Sequence, residues 1–190
     1  MSGATPRPLR ADAARNRARL LDAATEVFTT RGVDVPTEEI ARAAGVGVGT
    51  LFRHFPTKEA LLEAVVVRRL ETITDRTARL AAEHPPAEAF HACFRLVVEQ
   101  SAGKQEFTRA LAEAGVDVHA SLRESSGLMR AQLAGLLAAA QQAGAVRPDL
   151  GLPELVALLV GTGAATEQLA ADPAARERVF EVVLTGLRPH

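Results

Sequence analysis

The sequence predicts an all-α protein of about nine helices, and three observations support this fold class. Alanine and leucine dominate the 190 residues, while Trp and Tyr are absent. Runs of alternating β-branched and polar residues, which are typical of strands, are missing. Glycine and proline residues recur at intervals that separate helices of ordinary length. We therefore expect three short helices at the N-terminal end, continuous with a larger helical body.

The first four helices follow from apolar spacing and from their start and stop signals. Leu20, Ala24, Val27 and Phe28 occupy one face of a first helix, which is expected to end near residues 31–32. Thr37 is expected to cap the second helix and Gly45 to end it. The third helix is expected to begin at Val48. Thr57 is expected to cap a long fourth helix that starts at Lys58.

The body is divided by Pro85-Pro86, Gly103, Gly115, the stretch 144–153 and Asp172-Pro173. Because proline and glycine interrupt helices, these breaks predict five further helices. We place them near residues 87–102, 105–114, 118–143, 153–170 and 173–187.

Composition and charge exclude several classes of protein. Hydrophobic residues make up 47% of the chain, yet no stretch approaches the roughly 20 apolar residues of a membrane span. The first nine residues contain no apolar run of secretory type, so a cytoplasmic location without membrane association is expected. Residues 1–58 contain nine Lys/Arg against six Asp/Glu, although the whole chain has a net charge of −1. The N-terminal end is therefore the more basic one.

No pattern of catalytic residues or metal ligands is present. A glycine-rich phosphate loop, H-E-x-x-H and G-x-S-x-G are all missing, so we expect neither an enzyme nor catalytic residues. Cys93 is the only cysteine, which excludes an internal disulfide and a cysteine cluster. His91 lies two residues away and points to another face of its helix, so no metal and no cofactor are expected.

Residues 36–55 form the most informative segment. Two helices joined by a three-residue turn that opens with Gly45 must cross steeply, and Ala41 and Ala44 are small enough to let them approach. Ile40, Val46 and Leu51 are expected to fill the corner between them. This spacing predicts a helix-turn-helix whose second helix presents its first residues to a DNA major groove.

In these motifs the sequence resembles the TetR family. The resemblance rests on Phe28-Thr29-Thr30-Arg31-Gly32, on residues 40–46 (IARAAGV), on residues 49–55 (GTLFRHF) and on residues 58–62 (KEALL). It implies a DNA-binding domain at residues 13–73 and an effector-binding and dimerisation domain at residues 74–190. It also implies a transcriptional regulator, most often a repressor, that binds double-stranded operator DNA as a homodimer and responds to a small-molecule effector.

The resemblance also implies a role for each residue of the motif. Thr37, Phe52, His54 and Lys58 would lie against phosphates, while Gly47, Val48, Gly49 and Thr50 would face bases. Arg53 or an N-terminal arginine would carry much of the discrimination. Two residues depart from the family pattern: Phe52 replaces a usual tyrosine, and Gly47 replaces a common small hydroxyl residue.

Each role has a simpler alternative. Phe52 is also compatible with the protein core, His54 with a solvated helix end, and Lys58 with an ordinary surface charge. Arginines in the tail before the first helix are either solvated or reach a minor groove. They are Arg7, Arg10, Arg15, Arg17 and Arg19.

For the body, the last two helices are apolar on more than one face, which favours a homodimer over a wholly intramolecular core. The resemblance places a ligand pocket among the middle helices. A regulator of the same fold without an effector, controlled by a protein partner or by its own concentration, stays open. The candidate pocket residues are Phe90, Phe94, Val97, Phe107, Leu111, Met129, Gln132 and Leu133.

Overall fold

The computed structural model describes residues 7–100, 110–113 and 123–189, and every regular element within these ranges is helical. This confirms the predicted all-α fold class. Residues 110–113 belong to the predicted helix 105–114, most of which lies outside the described residues, as does Phe107. The helices described over their length are α1 (Arg7–Arg31), α2 (Thr37–Ala43), α3 (Val48–His54), α4 (Lys58–Glu83), α5 (Pro86–Gln100), α6 (Arg123–Gln142), α7 (Leu152–Gln168) and α8 (Pro173–Gly186).

Most helix ends fall within a few residues of the positions that the sequence signals predicted. Gly45 adopts φ 67°, a left-handed conformation that favours glycine, and it ends α2. The Gly45 N–H donates to the Arg42 carbonyl at 3.1 Å, and the Val46 N–H donates to the Ala41 carbonyl at 3.0 Å. These paired bonds form a Schellman motif, which satisfies the last carbonyls of α2 and turns the chain towards α3.

Helix α1 begins earlier than the sequence analysis expected. The predicted N-terminal tail is wrong from Arg7 onwards, because α1 already starts there. Pro8 occupies the first turn, where a helix needs no backbone N–H donor, so this proline does not interrupt it. The arginines at positions 15, 17 and 19 are therefore carried on a helix.

Thr37 is not the N-cap of α2, contrary to expectation. It is the first helical residue, and Pro36 holds the cap position with φ −60° and ψ 143°. The Thr37 side chain is largely buried. Its hydroxyl lies 3.5 Å from Glu38 Oε2 and does not occupy the position of a capping group. The fixed φ of Pro36 supplies the extended entry that a capping threonine would otherwise stabilise.

The described part of the first of two compact units consists of residues 7–68 and 110–113. Helices α1, α2 and α3 pack against one another around fully buried apolar side chains. Arg31 Nη1 lies 2.6 Å from Glu39 Oε2 and joins the end of α1 to α2. Arg68 Nη2 donates to Asp22 Oδ1 at 2.7 Å and joins α4 to α1. The buried residues include Leu20, Ala24, Phe28, Ile40, Leu51, Leu61 and Val65.

The second unit, described over residues 69–100 and 123–189, has its own apolar core built by α4 to α8. Arg95 of α5 forms a bidentate ion pair with Glu177 of α8, and its guanidinium carbon lies 4.5 Å from the centroid of the Phe180 ring. The ion pair raises the pKa of Arg95 and lowers that of Glu177. Of the helices described, none is long and apolar enough to cross a membrane.

Candidate nucleic-acid interface

Helix α3 is held in place by two inward-facing side chains. Leu51 and Phe55 are both buried, as the i, i+4 spacing predicted. The Arg17 guanidinium carbon lies 5.2 Å from the centroid of the Phe55 ring, which adds a cation–π contact from α1. Because α3 is only seven residues long, this packing rather than its own helix propensity fixes its position.

The first turn of α3 is an exposed surface with few side-chain atoms. Gly47, Val48 and Gly49 are exposed, and Thr50 is partly buried. Gly47 holds the N-cap position in an extended conformation, φ −71° and ψ 148°, with no side chain to cap the helix. Apart from the adjacent residues and the backbone of α3 itself, a Cβ added at Gly47 or Gly49 would meet no atom within 4 Å. The packing of the protein therefore does not require a glycine at either position.

Phe52 lies one turn after Val48. Both side chains are exposed, Phe52 at 42% and Val48 at 40%. The alternative in which Phe52 belongs to the core is therefore wrong. Arg53 is also exposed, while His54 is partly buried with its ring centroid 6.4 Å from that of Phe55. An exposed arginine suits contact with a polyanion, and an exposed aromatic ring next to it in the sequence is typical of an interaction surface.

Lys58 begins α4 immediately beyond α3. The cap predicted at Thr57 is confirmed, because its Oγ1 accepts a bond from the Ala60 N–H at 3.1 Å. Within the described ranges, no carboxylate lies within 4 Å of the Lys58 ammonium or the Arg53 guanidinium. Thr37 differs from these residues, since it is only 8% exposed at the start of α2. Apart from the buried Leu51 and Phe55, residues 47–58 thus form a candidate surface, and its cations Arg53 and Lys58 have no carboxylate partner in the part of the chain that the structure describes.

Most residues predicted to line a ligand pocket are part of the packed interior. Phe90, Phe94, Met129 and Leu133 are buried in the core of the second unit, and Val97 packs against it while partly buried. Leu111 is fully buried. Phe107 lies outside the described residues.

Gln132 lines a groove of about 300 Å³ on the second unit, between α4, α5 and α6. Thr77 Oγ1 lies 2.8 Å from Gln132 Oε1 and can donate to it, although carbonyls of its own helix are also in reach. The rest of the lining is apolar and consists mostly of small residues such as Ala81, Ala89 and Gly135, together with the larger Leu136. The contact between Thr77 and Gln132 was not predicted, because periodicity within one helix does not relate residues that lie 55 positions apart.

Two titratable groups of α5 show shifted acidity without forming a reactive site. Burial raises the pKa of the Cys93 thiol to about 11. Burial also lowers the pKa of His91, and the positive charges of Arg188 and Arg95 lower it further. Over the part of the chain that the structure describes, no group of three or more His, Cys, Asp or Glu side chains is placed to hold a metal ion.

Comparison with known proteins identifies both parts of the chain. Residues 20–65 match the family described as "Bacterial regulatory proteins, tetR family". Residues 85–189 match "Transcriptional regulator SbtR-like, C-terminal domain". The transcriptional regulator UidR of Escherichia coli strain K12 is 26% identical over 183 residues, which covers 90% of each chain.

Solved structures agree with these matches. The TetR transcription regulatory protein of Mycobacterium vanbaalenii is 42% identical and superposes with a TM-score of 0.78, covering 95% of this chain and 99% of that one. A TetR transcriptional regulator of Streptomyces coelicolor is 37% identical with a TM-score of 0.74, covering 91% and 98%. Since the matches include both the helix-turn-helix and the helical body, the chain belongs to the TetR family of bacterial transcriptional regulators.

Proposed function

We propose that this TetR-family regulator is a cytoplasmic repressor that binds a palindromic operator as a dimer and is released by a small-molecule effector. The observation that carries the proposal is the exposed surface of residues 47–58. It combines a first turn in which glycines flank Val48, an exposed aromatic ring, and two cations, Arg53 on α3 and Lys58 at the start of α4, that have no carboxylate partner among the described residues. This is the geometry with which a recognition helix enters a major groove and contacts the phosphates on either side.

We assign two kinds of contact to this surface and to Thr37 at the start of α2. Gly47, Val48, Gly49 and Thr50 face base edges, because they form the first turn of α3 and the residue before it. Arg53 adds a hydrogen-bonding group that can read a guanine. The residues assigned to phosphates are Thr37, Phe52, His54 and Lys58, of which Thr37 is the least accessible.

Dimerisation through α7 and α8 is supported by their outward faces. Both helices bury one face in the core, through residues such as Leu159 and Phe180. Their other faces nevertheless carry large exposed apolar side chains, Val160 at 56% and Val182 at 72%. Ala157 and Gly161, also exposed on α7, would let a second copy approach closely. Two copies would place their recognition helices on half-sites about 34 Å apart, or a multiple of that distance.

The effector is proposed to bind the domain at residues 74–190, beyond the DNA-binding domain at residues 13–73. The groove beside Gln132 supports this, since it is concave, mainly apolar and has a polar group at its wall. The predicted residues around Phe90 and Leu133 form its packed surroundings, and a ligand that reached them would have to displace core contacts. Such a ligand would shift α4, the helix that continues from the DNA-binding domain into the second unit.

Selection of operator DNA from a random pool with the purified full-length chain tests the proposal. We expect an enriched palindrome, a dimeric mass at micromolar protein, and loss of binding with one class of metabolite. Failure to enrich any sequence would overturn the function. An enriched palindrome that no metabolite releases would instead favour a regulator controlled by a protein partner or by concentration.

Lys58→Ala is expected to weaken binding to operator and unrelated DNA alike. Removal of one phosphate contact should flatten the slope of log affinity against log salt by about one unit. Arg130→Ala is the matched control, because Arg130 is an exposed cation on α6, outside the DNA-binding domain. The slope for this variant should equal that of the wild-type protein. An unchanged slope in the Lys58 variant would assign Lys58 to the ordinary solvated surface.

A further inference from the structure

We propose that Val48 reads the 5-methyl group of a thymine in each operator half-site, so that apolar contact determines the specificity of the first turn of α3. The inference rests on the proposed function, in which α3 enters the major groove. It goes beyond that function by naming the residue and the chemical group on the DNA that it recognises.

The structure isolates Val48 as an apolar projection. It is the first residue of α3 and is 40% exposed, although valine side chains are usually buried in folded proteins. The residues on both sides are glycines, so neither chain neighbour of Val48 carries a side chain. The isopropyl group of Val48 therefore projects without a side chain from either adjacent residue, and the next side chain on its face is that of Phe52, one turn later.

The chemistry of valine selects the partner. Its side chain has no hydrogen-bond donor or acceptor, so it cannot satisfy the polar edges of guanine, adenine or cytosine. Thymine alone among the four bases presents a methyl group in the major groove. Contact with valine removes apolar surface of both groups from water, whereas a polar base edge facing valine would lose a hydrogen bond to water.

Neighbouring residues compete for this role less well. Thr50 also carries a methyl group, but it is partly buried, with its backbone N–H bonded to the Gly47 carbonyl at 2.8 Å. Arg53 is exposed but belongs to the second turn of α3 and recognises polar edges. Phe52 lies on the face of Val48 one turn later, where the proposed contact is with the sugar–phosphate backbone.

The test replaces thymine by deoxyuridine, which lacks only the 5-methyl group, at each position of the selected operator in turn. We expect one thymine in each half-site at which this change weakens binding of the full-length protein about fourfold. A fourfold change corresponds to about 0.8 kcal/mol, the typical value for one apolar carbon removed from water. Uracil at the remaining positions should have little effect.

A pair of variants then assigns the methyl contact. Val48→Ala withdraws the two terminal methyl groups, so its preference for thymine over uracil should fall well below fourfold, and its melting temperature should change little because Val48 is exposed in the first turn of α3. Thr50→Ser, which loses the competing methyl group, should keep the fourfold discrimination. Undiminished discrimination in Val48→Ala, or its disappearance in Thr50→Ser, would overturn the assignment to Val48.

Binding measurements on the wild-type protein distinguish a failure of this inference from a failure of the proposed function on which it rests. Tight, specific binding that is insensitive to uracil at every position would overturn methyl recognition while leaving operator binding intact. Absence of specific binding to any operator would overturn both. Salt dependence provides a further check. The slope of log affinity against log salt should be the same for the thymine and uracil operators, because a methyl contact releases no counterions.

Discussion

Replacement of Val160 and Val182 together by glutamate is expected to convert the dimer into a monomer of 20.1 kDa and to weaken operator binding at least about 100-fold. In the proposed dimer both side chains are buried against the second copy, where unpaired carboxylates would be strongly unfavourable. In a single chain the same side chains are 56% and 72% exposed, so the fold itself should tolerate the substitutions. A monomer holds one half-site at a time and loses the gain from simultaneous contact.

Leu128→Glu is the matched control for this experiment. Leu128 is 60% exposed on α6, outside the face proposed for the second copy, and its replacement should leave both the mass and the operator affinity unchanged. Sedimentation or light scattering at micromolar protein gives the mass, and melting temperature shows that each variant is folded. A wild-type monomer, or a double variant that remains dimeric, would contradict the proposed interface.

The sequence predicted those parts of the fold that depend on local interactions. Gly45, Pro86 and Pro173 end or begin helices through their own backbone properties, so helix boundaries could be placed within a few residues. Local rules also produced the error at Thr37, because a threonine before two glutamates is a usual cap signal. The backbone of Pro36 already had the conformation that the cap would provide.

Among the candidate sites, the exposure of most residues around α3 followed from the sequence, whereas the groove did not. Residues 47–58 are contiguous, so their arrangement follows from one short helix and the start of the next. The Thr77–Gln132 contact and the Arg95–Glu177 ion pair join residues 55 and 82 positions apart. Such contacts depend on how helices pack, which periodicity within one helix cannot specify. Of the described residues that were expected to line a pocket, only Gln132 lines the groove, whereas Phe90, Phe94, Met129 and Leu133 are packed in the core.

Phe52→Tyr is expected to raise the affinity for DNA by about 2- to 13-fold. Phe52 stands where the family usually carries tyrosine, and its ring is exposed on the proposed DNA surface. A restored hydroxyl would donate a hydrogen bond to a phosphate, with a net gain of about 0.5 to 1.5 kcal/mol. Because the phosphate backbone is common to all sequences, operator and unrelated DNA should gain equally, which leaves the specificity ratio about constant.

The stability of the same variant provides the independent check on which surface the ring occupies. At 42% exposure the new hydroxyl can remain hydrated in the free protein, so the melting temperature of Phe52→Tyr should hardly change. Phe90→Tyr is the matched control: that ring is buried in the core of the second unit, and a hydroxyl without a partner there should cost about 1 to 3 kcal/mol of the free energy of unfolding. A destabilised Phe52→Tyr protein with unimproved binding would count against contact between Phe52 and DNA, whereas tighter binding at unchanged stability requires the added hydroxyl to face the DNA.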